Sequence, residues 1–374
     1  MINLGRTNTD RFALWWRNID KLLLISILSL IFLGIFFAYA STSNIASEKI
    51  YKTDYLLIVK QIFFASISVL ILVSLSLLDP KQIEKYCILG FVIAAFLLLS
   101  VLIFGVEVKG SKRWINLIFF RFQPVEIYKP FFVLLCSLII SNLQIGDLKL
   151  RILYSFCVLF FSLLLLLNQP DVGQSLLISS VWLILIFVSG ISVVALISIG
   201  SIIFFGIASA ILLFSERFSY IFKRLKTFVD PSKGDNLQTQ KALDAIKQGG
   251  FTGRGIGEGI LKEKVPEAHT DFVLAVIGEE FGILIILVIF LIITFIFLRI
   301  FSQLNNENNL FRKLVLIGLS SLVYLQSIIN LGVTLNILPN KGMTFPFISY
   351  GGSSMIGCGI IFGILLCFTK RKLS

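Results

Sequence analysis

Long stretches without a charged residue recur down this chain, at 22–40, 61–78, 86–106, 130–146, 152–170, 172–215, 314–337 and 345–368. A hydrocarbon core ~30 Å thick is crossed by ~20 apolar residues in helical form. Each run reaches about that length. The 44-residue run 172–215 is too long for one crossing, since a single helix of that length would extend ~66 Å. It divides at Ser189-Gly190. The pattern predicts spans near 22–40, 56–78, 86–106, 127–145, 152–170, 172–189, 191–214, 272–298, 314–337 and 345–368. The expected fold is therefore an all-α integral membrane protein with about ten transmembrane helices. The expected single domain carries one long connection, 216–271, in place of a second globular unit.

Composition agrees with the pattern. Of 374 residues 57% are hydrophobic and 14% charged, and the mean hydropathy is +0.93. So few charges cannot cover a soluble surface. The opening resembles a secretory leader, with Ala38-Tyr39-Ala40 as a cleavage-like tripeptide. Its uncharged stretch exceeds a usual leader core, and nine more spans follow, so an uncleaved first helix is expected.

Lys and Arg set the orientation. With both termini inside, short inner segments hold fourteen basic residues and short outer segments eight. This predicts cytoplasmic termini and an extracytoplasmic 216–271. The net charge of +12 then belongs to membrane topology and anionic lipid. It does not indicate a nucleic-acid partner.

The five cysteines form no Cys-x-x-Cys pair and read as small buried residues. A lone histidine, His269, excludes a multi-histidine metal site. No internal repeat is visible, which argues against a repeat-built transporter.

The polar residues near the outer ends of spans carry the candidate chemistry. The long connection contains a glycine-rich run, 249–259, with no preceding strand to make it a dinucleotide motif. It ends in Pro266-Glu267-Ala268-His269-Thr270-Asp271-Phe272. Thr270 or Asp271 suits a helix N-cap. Spacing alone favours the cap, but Asp271 also suits an ionised base beside a helix N-terminus. Lys109-Gly110-Ser111-Lys112-Arg113-Trp114 reads as interfacial anchoring or as a cationic site. Gln123-Pro124-Val125-Glu126-Ile127-Tyr128-Lys129 puts Glu126 and Lys129 on one helix face, as an ion pair or a functional pair. Asn168-Gln169-Pro170-Asp171-Val172-Gly173-Gln174 reads as a short polar turn, an ordinary proline turn on sequence alone. Glu279 and Glu280 are expected ~12–14 Å into the span that begins at 272. Phe345-Pro346-Phe347-Ile348-Ser349-Tyr350-Gly351-Gly352-Ser353-Ser354 suggests a broken start to the last helix.

These motifs, in this order and across nearly the whole chain, resemble the SEDS family, which contains FtsW and RodA. Residues 11–20, with Trp15-Trp16, and the wording of 347–350 look more like its FtsW branch. The resemblance implies the SEDS fold and a peptidoglycan glycosyltransferase that polymerises lipid II, with inversion, during cell division. The rival classes are a lipid II flippase and a divisome scaffold. By the match Asp271 is the catalytic base. Lys112, Arg113, Gln123, Glu126, Lys129, Asp171, His269 and Ser353 are substrate-binding residues. Lys112, Arg113 and Lys129 are the implied cations for the leaving diphosphate. Val125 stands where the family usually has Ser. A Gly-Pro usual after the Trp motif is replaced around Ile118-Phe119. No cofactor is required with certainty; a divalent cation is an option. The expected partners are lipid II, a class B penicillin-binding protein transpeptidase and other divisome membrane proteins. The expected location is the inner (plasma) membrane at the septum.

Overall fold

The computed structural model describes residues 11–42, 52–108, 111–117, 120–216, 218–229, 237–261, 265 and 267–370. Lys109, Gly110, Ile118, Phe119 and Pro266 lie outside them.

Seven helices are long and apolar enough to cross a membrane. They are α2 (Lys21–Thr42), α3 (Lys52–Leu77), α4 (Pro80–Phe104), α6 (Leu148–Asn168), α8 (Val193–Leu213), α12 (Ile283–Leu304) and α13 (Leu310–Thr334). Two shorter apolar helices, α7 (Val172–Val188) and α14 (Gly352–Phe368), join them. So does α5 (Val125–Ser141), which opens on Glu126 and Lys129. Each of these ten helices overlaps one of the ten stretches expected from the sequence.

Helices α5, α13 and α14 form the centre. Along α14 every residue from Ser353 to Phe368 except Ile356 is buried. It runs against α3, with α5, α13, α2 and α4 around it. In contrast α8 buries only Ile203 and Ile207, so its apolar surface faces outward nearly all round.

At the end of the bundle that holds residues 11 and 370, a short helix α1 (Arg11–Asn18) lies against α3. The Trp15 indole N–H donates to Ser76 Oγ at 2.9 Å. Asp20 accepts the Leu23 N–H (3.2 Å) at the start of α2, and its other oxygen accepts from Arg299 Nε (2.9 Å) and Gln303 Nε2 (2.8 Å). Lys370 donates to the Leu78 carbonyl at 2.9 Å. Burial of Asp20 is tolerated because both oxygens are bonded.

The opposite end differs from the sequence expectation in four ways. First, 106–122 holds a three-stranded antiparallel sheet: β1 (Val106–Val108), β2 (Ser111–Asn116) and β3 (Arg121–Phe122). The fold is thus helical with one small sheet between α4 and α5. Second, the long connection contains α9 (Ser219–Val229) and α10 (Leu237–Gly249).

Third, the expected span 272–298 is two helices. A nine-residue α11 (Val273–Phe281) ends at Gly282, whose φ of 84° belongs to the left-handed region, and α12 starts afresh at Ile283. Only glycine adopts that backbone without strain. Consequently Glu279 and Glu280 are not deep in a span. They lie at the end of α11, beside the glycine-rich run. Fourth, the last helix starts at Gly352 and not at 345. Residues 343–349 are buried apart from Thr344 and lack helical structure. Irregular backbone at this depth is tolerable because protein surrounds it.

Candidate functional site

The glycines of 249–259 have a packing reason. They let backbone approach backbone around the end of α11. Arg254 and Gly255 donate their N–H groups to the carbonyls of Glu279 and Glu280, both at 3.0 Å, and Ile283 donates to Gly250 O at 3.0 Å. A methyl on Gly253 would fall 2.1 Å from Glu280 O, and one on Gly249 would fall 1.9 Å from Gly278 O. Glu279 Oε1 accepts the Leu261 N–H at 2.8 Å. Helix α10 packs along α11. The glycine run is therefore a collar that grips one end of α11.

Asp271 sits at the other end. The helix boundary is Phe272, which makes no side-chain cap. Asp271 thus precedes the boundary and does not serve as the N-cap. The Asp271 carbonyl accepts from Asn330 Nδ2 at 3.0 Å, and the same amide donates to the Met343 carbonyl. One turn earlier on α13, Gln326 Nε2 donates to the Thr344 carbonyl at 2.9 Å. Asn330 and Gln326 are four apart and share a helix face. Together they hold the strap 335–351 against Asp271. At Gly342 (φ +61°) the strap passes beside the carboxylate: a methyl there would lie 3.1 Å from Asp271 Oδ2. The strap is also held by α9, where Arg224 donates to the Asn340 carbonyl at 3.0 Å. His269 supports its far end, its carbonyl accepting the Tyr350 N–H at 2.8 Å.

A chain of polar side chains leads from the small sheet into the bundle. Arg113, on β2, lies 3.6 Å from Asp171 Oδ1 and donates to the Pro170 carbonyl. Asp171 is the N-cap of α7, accepting the Gln174 N–H at 3.3 Å. The Gln174 amide reaches Glu126 Oε1 at 3.4 Å. Lys129, fully buried, lies 2.9 Å from each Glu126 oxygen and donates to Gln326 Oε1 at 2.8 Å. Through Gln326 the chain meets Thr344, whose hydroxyl pairs with Ser354 Oγ at 2.7 Å. Buried charges demand such company, because an unpaired ion in low dielectric costs several kcal/mol.

Lys341 differs from its neighbours. It lies on the strap beside Gly342, and its Cβ would be 3.6 Å from a methyl on Gly173. Loss of solvent around it pushes its ammonium below the usual lysine range.

The family model for FtsW, RodA and SpoVE, described as cell cycle protein, matches residues 20–373. The chain belongs to this family. Relatives named "Probable peptidoglycan glycosyltransferase FtsW" share 32% identity with it. In Caulobacter vibrioides the match spans 98% of this chain and 93% of the relative. In Pasteurella multocida it spans 93% and 89%. A chain from a peptidoglycan synthase complex has the same fold, with a TM-score of 0.73 at 24% identity over 94% of this chain and 97% of that one. RodA, the rod shape determining protein of Thermus thermophilus, gives 0.68 at 22% identity over 95% and 97%. The SEDS resemblance and its fold are thereby borne out, and the chain is a multi-pass membrane protein.

Of the site residues expected from sequence, Arg113, Glu126, Lys129 and Asp171 join in one chain, and Asp271 and His269 flank the strap. Three do not join through their side chains. Lys112 is exposed on β2, paired in register with Glu107. Gln123 contributes its carbonyl, which accepts the Glu126 N–H at 3.2 Å. Ser353 is buried in the first turn of α14, and it is Ser354 that meets Thr344. Sequence reasoning placed Gln174 in the polar turn 168–174 without a site role, and missed Gln326, Asn330, Thr344 and Lys341. The signal for two of them was present: Gln326 and Asn330 recur at helical spacing in an otherwise apolar run.

Proposed function

We propose that this chain is a peptidoglycan glycosyltransferase that polymerises lipid II, an undecaprenyl-diphosphate-linked disaccharide peptide, into glycan strands. In this reading Asp271 takes the proton of the attacking sugar hydroxyl as its oxygen bonds to the anomeric carbon of the donor. The diphosphate leaves from the opposite face, which inverts that carbon. A single base suffices because diphosphate leaves without protonation. A glycosidase would need two flanking carboxyl groups.

The observation that carries the reading is Asp271 itself. Its backbone is fixed by Asn330 and the strap, it lies beside a helix N-terminus that favours its ionised form, and the N-cap position of that helix is taken by Phe272. The names of the relatives point the same way. The loop end of the bundle is then extracytoplasmic, with both termini cytoplasmic, as the basic residues predict. The membrane is the inner (plasma) membrane and the site of action the division septum. The partner is a class B penicillin-binding protein, in keeping with the neighbour drawn from a peptidoglycan synthase complex. Other divisome membrane proteins complete the assembly.

The test is purified protein reconstituted with the transpeptidase and labelled lipid II, with glycan length read on a gel. Asp271→Asn should lower polymerisation about a hundredfold or more, the scale of general-base removal, while expression persists. Wild-type-like polymer from Asp271→Asn would refute the mechanism. Transfer of lipid II across vesicles without any polymer would instead favour the flippase.

A further inference from the structure

We propose that Lys341 binds the leaving diphosphate of the lipid-linked donor. The inference rests on the glycosyltransferase reading above and assigns a role that the sequence motifs had given to Lys112, Arg113 and Lys129.

Those three cations are unsuited to it. The Lys129 ammonium is fully buried and already meets both Glu126 oxygens and Gln326 Oε1, at 2.8–2.9 Å. An added phosphate would have to displace a buried carboxylate. Arg113 is held by the Asp171 carboxylate and the Pro170 carbonyl. Lys112 is exposed on the far strand register opposite Glu107.

Lys341 has the reverse properties. Among the described residues its ammonium has no hydrogen-bond or ion-pair partner. It is only partly exposed, and desolvation alone disfavours its charge. A cation in that condition gains free energy when an anion replaces the water it has lost. Its backbone is set in advance on both sides. Asn340 is tied to α9 by Arg224, and Met343 and Thr344 are tied to α13 by Asn330 and Gln326. A preset group loses little freedom on binding. The N-terminal turn of α7, at Gly173, lies against the Lys341 stem and adds positive potential.

The position fits one diphosphate in particular. Gly342 places Lys341 one residue from the Asp271 carboxylate. In the transfer, the acceptor hydroxyl oxygen bonds to the donor anomeric carbon and its proton passes to Asp271. The bond from that carbon to the diphosphate oxygen breaks, and the diphosphate leaves with the electron pair. The donor diphosphate is thus attached at the reacting carbon. The acceptor's own diphosphate is a disaccharide further away.

The experiment uses the reconstituted complex with Lys341→Met and Lys341→Arg. The donor is a lipid II analogue whose attacking hydroxyl is blocked, extended by ordinary lipid II as acceptor. Loss of a charge-assisted bond of ~1.5–3 kcal/mol predicts that Lys341→Met lowers kcat/KM for the blocked donor ~10–100-fold. Inhibition by undecaprenyl diphosphate should weaken in proportion, with the KM for acceptor unchanged. The ammonium is lost as pH rises through its lowered pKa, so wild-type kcat/KM should fall at a pH below the ordinary lysine range. Lys341→Arg should retain activity and carry that alkaline limb upward. A purely structural lysine would not move the limb. Unchanged donor kinetics in Lys341→Met, or an effect confined to the acceptor, overturns the proposal. If Lys341→Met fails to fold, an unmoved limb in Lys341→Arg overturns it as well. Absence of polymer from the wild-type complex would count against the glycosyltransferase reading, a separate result.

Discussion

Removing the two charges of the Glu126–Lys129 pair one at a time should cost, in sum, far more than removing both together. Lys129 is fully buried and Glu126 nearly so, at 4% exposure. In Lys129→Met the Glu126 carboxylate loses its 2.9 Å partner and keeps only the Gln174 amide at 3.4 Å. Breaking a buried pair from one side costs ~3–5 kcal/mol, against a total stability of ~5–15 kcal/mol in typical proteins. In Glu126→Gln the ammonium keeps Gln326 Oε1 and gains the new amide oxygen, so ~1.5–3 kcal/mol is expected, the worth of a charged hydrogen bond. The double variant Glu126→Gln/Lys129→Met strands no charge and preserves volume, which limits its cost to ~1–2 kcal/mol. The coupling between the two positions, the summed singles less the double, is therefore ~2.5–7 kcal/mol, at or above the upper end of measured pairs. Chemical unfolding of the detergent-solubilised protein, run as a double-mutant cycle, measures it. Additive losses would refute the argument, because they would mean each charge is stabilised separately by its own surroundings.

Three further outcomes follow from the geometry. Asp171→Asn should keep the α7 cap and lose the Arg113 pair, so activity falls with little loss of stability; Asp171→Ala should lose ~1 kcal/mol more, the usual worth of a cap, read by thermal unfolding. Gly253→Ala, at φ +81° and with 2.1 Å to Glu280 O, should force the collar off α11 and lower activity at least tenfold in the polymerisation assay, whereas Gly250→Ala, with open space around it, should cost only backbone strain of ~1–2 kcal/mol. A cysteine placed at residue 240 should react with an impermeant thiol reagent from outside the cell, and labelling only from the cytoplasmic side would invert the proposed topology.

The ten apolar helices were legible because each needs a length that few other structures need, and the bilayer penalises any alternative. Asp271, Glu126 and Lys129 were legible because charges at span ends are uncommon enough to single out. The break at Gly282 was not. A lone glycine inside a hydrophobic run is compatible with a continuous helix, and only the collar packed onto it decides otherwise. The collar itself was visible as alternating glycines, but its purpose depends on the carbonyls of Gly278 and Glu280, contributed by another element. Gln326 and Asn330 escaped notice because each is an ordinary amide taken singly; their shared face matters only once the strap lies against it. The choice of Ser354 over Ser353 turns on the entry angle of α14, which the buried strap sets. The small sheet has strands of three, six and two residues, too short for an alternation to declare itself.

The nine-residue α11 is a lever arm. It is ~13 Å long, hinged at Gly282 and carrying a carboxylate at its tip. A tilt of ~5° about that hinge would carry Asp271 ~1 Å, a displacement that costs about a hundredfold where groups must be aligned. The membrane helix α12 need not move at all for this to happen. The stiffness of the glycine collar would therefore set how finely the proposed base is aimed. With Asp271 as the proposed base, pressure on residues 249–261 would change the reaction rate without movement of the rest of the bundle.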